Sequence, residues 1–430
     1  MTDTSAVSRW SQYMPGIYAS RRGPTPLGTV VFEEIEAKAR EVLKDHHSFL
    51  YAFGSAGTNS TERNNRQAFQ RYGIIPRMLV NATHRSLETT LFGVKHSAPI
   101  FVAPIGVQGI FHPDAELASA SAAKNQGVPF ILSTASSRSM EEVAKANGDG
   151  HRWYQLYWPR SDDVTLSLLK RAKENGFTAL VITLDTMTIG WRPHDLETAY
   201  IPFFHGIGIQ IGTSDPVFMA KHKCKPVYDE HPAFPHNSAK VDKLYAEGDP
   251  TARNAVYLGT EWLKETNSGQ FRTWEDVKFL RDNWDGPLIL KGIQTVQDAL
   301  KAIESGVDGI IVSNHGGRQV DGAIPSLYAL ETIMKSSKIK EAQQSGKLTV
   351  LFDSGIRTGS DIIKAIALGA QAVLLGRPWL YGLIAGGQAG VEQVLQHTMA
   401  DLDTNLGLAG YKSLEEIRGR GEEIVVKLDL

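Results

Sequence analysis

The densest chemistry in the chain is the string Ser313-Asn-His-Gly-Gly-Arg-Gln319. A histidine titrates near neutrality and so serves as a general base. Arg318 stands three residues beyond His315. Its guanidinium fork can hold a carboxylate by two parallel charge-assisted hydrogen bonds. The intervening glycines let the backbone turn sharply and approach a ligand closely. Together these residues suit proton transfer from an anion; a capping histidine beside a surface arginine is the plain alternative.

A second signal is the pair Asp353-Ser-Gly-Ile-Arg-Thr-Gly359 and Gly376-Arg-Pro378. Glycine-bearing turns that open helices present backbone N–H groups to an anion, and Arg357 and Arg377 add charge. Lys291 ends the apolar run Pro-Leu-Ile-Leu-Lys. A lysine there either snorkels to solvent or supplies a fixed positive charge where negative charge develops.

These residues need elements to hold them. Eight short apolar runs recur: 98–106, 129–134, 153–158, 179–185, 287–292, 309–314, 348–353 and 372–376. Runs of this kind, without polar alternation, suit strands buried on both faces of a parallel sheet. Amphipathic stretches at 163–175, 295–305 and 359–368 intervene, so strand and helix alternate. Eight such units predict an α/β fold, a closed (β/α)₈ TIM barrel, with a large doubly wound sheet as the other option. In a barrel the chemistry gathers at the C-terminal strand ends. Those ends carry Gly106, Ser133 and Thr134, Gln155 and Tyr157, Thr183 and Asp185 with Arg192 beyond, Lys291, Ser313 to Arg318, Asp353 to Arg357, and Gly376 with Arg377.

Two segments fall outside the rhythm. Residues 1–95 form an N-terminal extension with a helix expected at 29–44, packed on the barrel of residues 96–430. A connection of about eighty residues follows the fourth strand, far beyond ordinary loop length. Its stretch 202–250 shows no clear periodicity. Leaving the catalytic face, this insertion (about 195–270) reads as a lid.

The 430 residues carry 45 Lys+Arg against 47 Asp+Glu, a net charge of −2. Such a chain lacks the basic excess that nucleic-acid binding uses. No apolar run reaches the ~18 residues of a membrane span, and the opening MTDTSAVSRWS has no hydrophobic core of a secretory signal. The single Cys224 excludes an internal disulfide and points to a reducing, cytoplasmic setting. His222, Cys224, His231 and His236 match no common zinc spacing, so no metal is expected. The run Gly206-Ile-Gly-Ile-Gln-Ile-Gly212 has one residue too many for a dinucleotide fingerprint.

Taken together, these strings resemble the FMN-dependent α-hydroxy-acid oxidase and dehydrogenase family, from about Tyr51 to about Ile417. The resemblance implies a TIM barrel holding FMN. It makes His315 the base that takes a proton from the substrate as FMN is reduced, with Asp185 paired to its imidazolium form. Arg192 and Arg318 would clamp the substrate carboxylate, assisted by Tyr51 and Tyr157. Lys291 would stabilise negative charge on the flavin. Ser133, Gln155, Thr183 and Ser313 would hydrogen-bond the ring system and ribityl chain, with Ile105 and Gly106 against its N5 side. Asp353, Gly355, Arg357, Gly376 and Arg377 would hold the ribityl and phosphate end. Small 2-hydroxy acids and O₂ are the implied partners, and a homo-tetramer or octamer the implied assembly.

Within that family, Trp191-Arg-Pro-His-Asp195 and the long insertion look like the lactate 2-monooxygenase branch. Gly106 stands where lactate and glycolate oxidases carry alanine, and the missing methyl would leave room for pyruvate to stay beside the flavin. Ala135 replaces a substrate-contacting tryptophan of glycolate oxidase, which would enlarge the pocket. The resulting expectation is L-lactate plus O₂ to acetate, CO₂ and water. An oxidase releasing the keto acid and H₂O₂ is the alternative. A phosphate-binding barrel isomerase and a catalytically inactive flavin-binding barrel are rivals from other classes.

Overall fold

The computed structural model describes residues 9–43 and 45–429; the opening residues 1–8, Lys44 and Leu430 lie outside them. Eight parallel strands close a barrel in sequence order: β1 Ile100–Val102, β2 Phe130–Ser133, β3 Arg152–Leu156, β4 Leu180–Thr183, β5 Leu288–Ile293, β6 Gly309–Val312, β7 Thr349–Phe352 and β8 Ala372–Leu375. β8 returns to β1 through the register Val373 to Ile100.

The strands read as continuous apolar runs because both faces are buried. Phe101, Ile131, Trp153, Val181, Ile289, Ile311, Leu351 and Leu374 point inward and pack as one cluster. Their neighbours Val102, Leu132, Tyr154, Ile182, Leu290, Val312, Phe352 and Leu375 point outward, into the larger core shared with the helices. Side chains along a strand alternate with period two. The next inward position on each strand is therefore fixed: Ala103, Ser133, Gln155, Thr183, Lys291, Ser313, Asp353 and Gly376. This layer is mostly polar and lies at the C-terminal mouth. At the opposite end the hairpin Thr89–Leu91 and Val94–His96 plugs the barrel, with Leu91 and Phe92 in the interior cluster.

The N-terminal region wraps the barrel instead of forming a unit apart. Helix α1 spans Phe32–Val42, shorter at both ends than the expected 29–44, and packs on the long C-terminal helix. Helices α2 (His46–Phe53) and α3 (Ser60–Gln70) follow. Tyr72–Ile74 then pairs antiparallel with Val425–Lys427.

The insertion after β4 departs from the sequence reading, because about half of 202–250 is helical. Helix α4 (Pro193–Glu197), short turns at Pro202–His205, Gln210–Thr213 and Pro216–Lys221, and helices α5 (Ser238–Glu247) and α6 (Pro250–Thr266) occupy it. The caps explain the helices. Asn237 accepts a hydrogen bond from Lys240 N at 2.9 Å, and Asp249 accepts one from Ala252 N at 2.8 Å just before Pro250. The last helical stretch, α7 (Arg377–Leu408), opens directly at the end of β8 and breaks at Gly386 and Gly387, whose φ values are −151° and 58°. Among the described residues no helix is long and apolar enough to cross a membrane.

Candidate active site

A cleft of about 170 Å³ opens at the C-terminal mouth. Its walls include Tyr51, Ile105, Gly106, Tyr157, Arg192, Lys291, His315, Arg318, Asp353, Gly355, Arg357, Gly376 and Arg377. Ser133, Gln155, Thr183 and Ser313 do not line it directly. They form the buried polar layer at its floor. Ser133 Oγ donates to Gln155 Oε1 at 3.2 Å, and Gln155 Nε2 donates to Thr183 Oγ1 at 3.0 Å. Lys291 Nζ donates to Ser313 Oγ at 3.0 Å and lies 3.3 Å from Asp353 Oδ2. Asp185 stands behind His315, away from the cleft wall.

His315 leaves β6 in the left-handed region, at φ 58°, followed by Gly316 at 64° and Gly317 at 80°. Gly317 is required sterically, because a Cβ there would lie 2.6 Å from Glu62 N in α3. The turn swings the imidazole so that Nδ1 meets Asp185 Oδ1 at 2.7 Å and Thr186 Oγ1 at 3.2 Å. With Nδ1–H directed to the carboxylate, Nε2 carries the free lone pair.

Burial pulls the His315 pKa below its ordinary value; Asp185 opposes this, and Lys291 and Arg192 reinforce it. The imidazole is therefore neutral and able to accept a proton. Burial alone would push Asp185 up. The attraction of His315 and Lys291 and the hydrogen bonds from His315 and Thr186 outweigh it and hold the carboxyl at about 2. Burial likewise opposes the charge on Lys291, but Asp353 and Asp185 raise its pKa, so the ammonium persists. Burial also raises the Tyr157 phenol, with Asp185 and Tyr51 adding to the shift, so Tyr157 remains a hydrogen-bond donor.

Two arginines converge opposite the base. Arg192 donates from Nε to Arg318 O at 3.0 Å and from Nη2 to Gln319 Oε1 at 2.8 Å. Arg318 stacks over the Tyr51 ring at 5.3 Å and donates to Gly54 O at 2.5 Å. Burial, then repulsion from Arg192 and Arg377, pulls the Arg318 pKa down to about 9. Crowded like charges of this kind are relieved by a bound carboxylate.

At the far end of the cleft, Arg357 is also pulled down, to about 10, by burial and then by Arg66 and Arg377. Its guanidinium lies over Phe32 at 4.2 Å, and its buried Nε has no partner. Arg377 spreads over the carbonyls that end α2 and donates to Ser55 Oγ at 3.0 Å. A Cβ on Gly376, at the N-terminus of α7, would meet nothing within 4 Å. An open glycine at a helix N-terminus, beside a buried guanidinium with an orphaned N–H, fits a phosphate. The polar floor and the Lys291 ammonium fit the hydrogen-bonding edge of a flavin, and FMN has both parts.

One expectation fails here. The methyl absent from Gly106 does not leave free space, because a Cβ there would lie 2.5 Å from Ala135 O and 2.6 Å from Ala135 Cβ. Glycine at 106 permits close approach of the loops after β1 and β2, which Val107 N seals by donating to Ala135 O at 2.8 Å. Other cleft residues escaped the sequence reading. Phe203 and Asn267 reach the cleft from the insertion, and Thr186 touches both His315 and Asp185. Ser354 Oγ accepts from Gly316 N at 3.0 Å and so braces the base-bearing turn. Thr186 and Ser354 adjoin Asp185 and Asp353 in sequence, and that adjacency was the available signal.

Known proteins agree with this geometry. The family profile of FMN-dependent dehydrogenases matches residues 39–423. An FMN-dependent alpha-hydroxy acid dehydrogenase, qulF of Penicillium citrinum, is 46% identical over 89% of this chain and 87% of its own. An L-lactate oxidase of Lysinibacillus sphaericus is 38% identical over 90% and 91%. The crystal structure of a mandelate oxidase superposes with a TM-score of 0.73 at 35% identity, covering 94% of this chain and all of that one. A closed eight-strand barrel, a paired histidine at its mouth and these relatives have one explanation: the chain belongs to the FMN-dependent dehydrogenase family and is an FMN-dependent 2-hydroxy-acid oxidoreductase.

Proposed function

We propose that the substrate is a small L-2-hydroxy acid, L-lactate foremost, and that the overall reaction is L-lactate plus O₂ to acetate, CO₂ and water. The observation that carries this reading is the reach of the insertion: Phe203 and Asn267 line the same cleft as His315, so the insertion folds over the site. A covered cleft retains the keto acid. Retained beside the peroxide formed from O₂, pyruvate loses its carboxyl group; released early, it leaves as pyruvate with H₂O₂.

FMN, held by the polar floor, Lys291, Asp353, Gly355, Arg357 and the Gly376–Arg377 helix start, supplies the two-electron acceptor when bound. The rest is done by the chain's own side chains. Arg192 and Arg318 hold the carboxylate by charge-assisted hydrogen bonds, with the Tyr51 and Tyr157 hydroxyls beside it. This fixes the substrate against His315, whose Nε2 takes a proton. Asp185, ionised at 2.7 Å from Nδ1, stabilises the imidazolium that results. The Ile105 and Gly106 backbone forms the opposing wall.

The deciding measurement is the aerobic product ratio from L-lactate at early times without catalase. Acetate with little free peroxide supports the monooxygenase reading. Stoichiometric pyruvate and H₂O₂ would make this an oxidase and refute retention. A second substrate class is favoured by one observation: Ala135, a small residue, lies on the cleft wall. Relatives include proteins named 4-hydroxymandelate oxidase and mandelate oxidase. A kcat/KM for mandelate above that for lactate would establish that reading instead. Assembly into a tetramer or octamer and a cytoplasmic setting belong to the same proposal; sedimentation velocity tests the first.

A further inference from the structure

Gln319 closes the base-bearing string but makes no contact that the reaction itself requires. Its side chain nevertheless spends all of its hydrogen-bonding capacity on one segment. A glutamine amide has two N–H donors and an oxygen with two acceptor positions. Nε2 donates to Asp185 O at 2.7 Å and to Thr188 O at 2.9 Å. Oε1 accepts from Arg192 Nη2 at 2.8 Å and from Gly190 N at 3.2 Å. The four partners lie between residues 185 and 192, the root from which the insertion rises. This segment carries both the carboxylate that faces His315 and the first arginine of the clamp.

The two loops touch closely around this amide. A Cβ on Gly190 would lie 2.5 Å from Arg318 O and 2.8 Å from Gln319 Cα. Arg192 Nε donates to Arg318 O as well, so its guanidinium is fixed by two adjacent residues of the β6 loop. The α2–α3 connection joins from the other side, with Ala56 N donating to Gly317 O and Gly57 N to Trp191 O, each at 2.8 Å. No other side chain in this group bonds to both Arg192 and the Asp185 backbone.

We infer that Gln319 is a positioning residue that sets the carboxylate clamp and the base's carboxylate in one geometry, by tying the root of the lid to the His315 turn. This rests on the roles given above to His315, Asp185 and Arg192. Without the amide, Arg192 loses a neutral acceptor that orients it, and Asp195, whose Oδ2 lies 3.8 Å from Nη1, still draws on the guanidinium. Asp185 loses the anchor that keeps Oδ1 against Nδ1. The site then binds carboxylates more weakly and its base is weaker, although no group that touches substrate has changed.

Two variants of the FMN-loaded enzyme test this. Gln319→Met keeps length and removes all four hydrogen bonds. Gln319→Glu keeps shape but sets carboxylate oxygens against the Asp185 and Thr188 carbonyls and compensates the Arg192 charge. Propionate, which is lactate without its hydroxyl, reports the clamp by equilibrium binding. Its Kd should rise about tenfold or more in both variants. In Gln319→Met the acid limb of kcat/KM should move to lower pH, because Asp185 raises the His315 pKa and its hold has loosened. Flavin content and Tm are measured alongside. Unchanged propionate affinity and an unchanged acid limb in a folded variant would overturn the inference. Loss of folding or flavin in both variants would also overturn it, making Gln319 merely structural. Arg192→Lys and His315→Asn serve as controls. If they leave binding and turnover intact, the site assignment itself is wrong; if they impair them and the Gln319 variants do not, only the positioning role fails.

Discussion

His315 Nδ1 and Asp185 Oδ1 lie 2.7 Å apart, although 130 positions separate them in the chain. The pair spans the ends of two barrel strands and sets both the tautomer and the basicity of the imidazole. It also fixes the shape of the pH profile. The His315 pKa lies below 6.5, so kcat/KM should be flat above that value and fall on the acid side as the imidazole gains a proton. Asp185→Asn removes an attraction that raises this pKa, so the acid limb should shift downward while the plateau drops. His315→Asn should lower kcat by roughly 10²–10⁴-fold with flavin content retained. Stopped-flow reduction across pH 5–8 checks all three outcomes.

The clamp should show a different signature. Arg192→Lys and Arg318→Lys keep the charge but lose the planar fork, so each should raise KM for lactate by roughly 10–100-fold. The effect on kcat should be smaller. Steady-state kinetics separates the two, and equal losses in both parameters would contradict a role in holding the carboxylate.

Gly106→Ala should act on packing before chemistry. The added methyl meets Ala135 O at 2.5 Å, so the loops after β1 and β2 must part. Overpacking of this kind costs about 1–3 kcal/mol, and Tm should fall accordingly. Calorimetry beside the product assay decides whether any change in products comes without a change in stability. A variant with wild-type Tm would contradict the close approach described here.

Stability should decline in mild acid. Burial holds His96, His236 and His397 at about 4, with the neighbouring His151 adding to the effect on His96. Each binds a proton more readily when unfolded, near pH 6.5. Their contribution is full above that pH and is lost as pH falls from about 6.5 to about 4, amounting to at most about 3 kcal/mol for the half-buried His397. A Tm profile over this range tests it. His397→Gln should flatten the slope, and an unaltered slope would remove His397 from the account.

Much of this site is legible in the sequence because period-two alternation is strict. Once Ile289 faces inward, Lys291 must follow it to the mouth, and the same rule delivers Ser133, Gln155, Thr183 and Asp353. The insertion was harder. Asn237 and Asp249-Pro250 are good helix starts, but the ten-residue helix after Asn237 buries only Ser238, and the seventeen-residue helix after Asp249 buries a sparse set, Ala252, Leu258, Gly259, Trp262 and Thr266, so neither shows a dense apolar stripe. The strands Tyr72–Ile74 and Val425–Lys427 have three residues each, too few for alternation to be visible. Gly106 shows another limit. An absent side chain says nothing about what fills the space, and here a backbone carbonyl does.

The pairing of Tyr72–Ile74 with Val425–Lys427, together with the return of β8 to β1, has a consequence for how the molecule is made. A chain emerging from the ribosome exposes the edge of β1 and the strand at residue 72 long before their partners exist. Both edges stay open until their partners, Ala372–Leu375 and Val425–Lys427, have been synthesised. Such non-local closure is slow and leaves apolar strands available to neighbouring chains in the meantime. Shortening the chain by the few residues around Val425 would therefore be felt as aggregation during synthesis, before any effect on turnover could be measured.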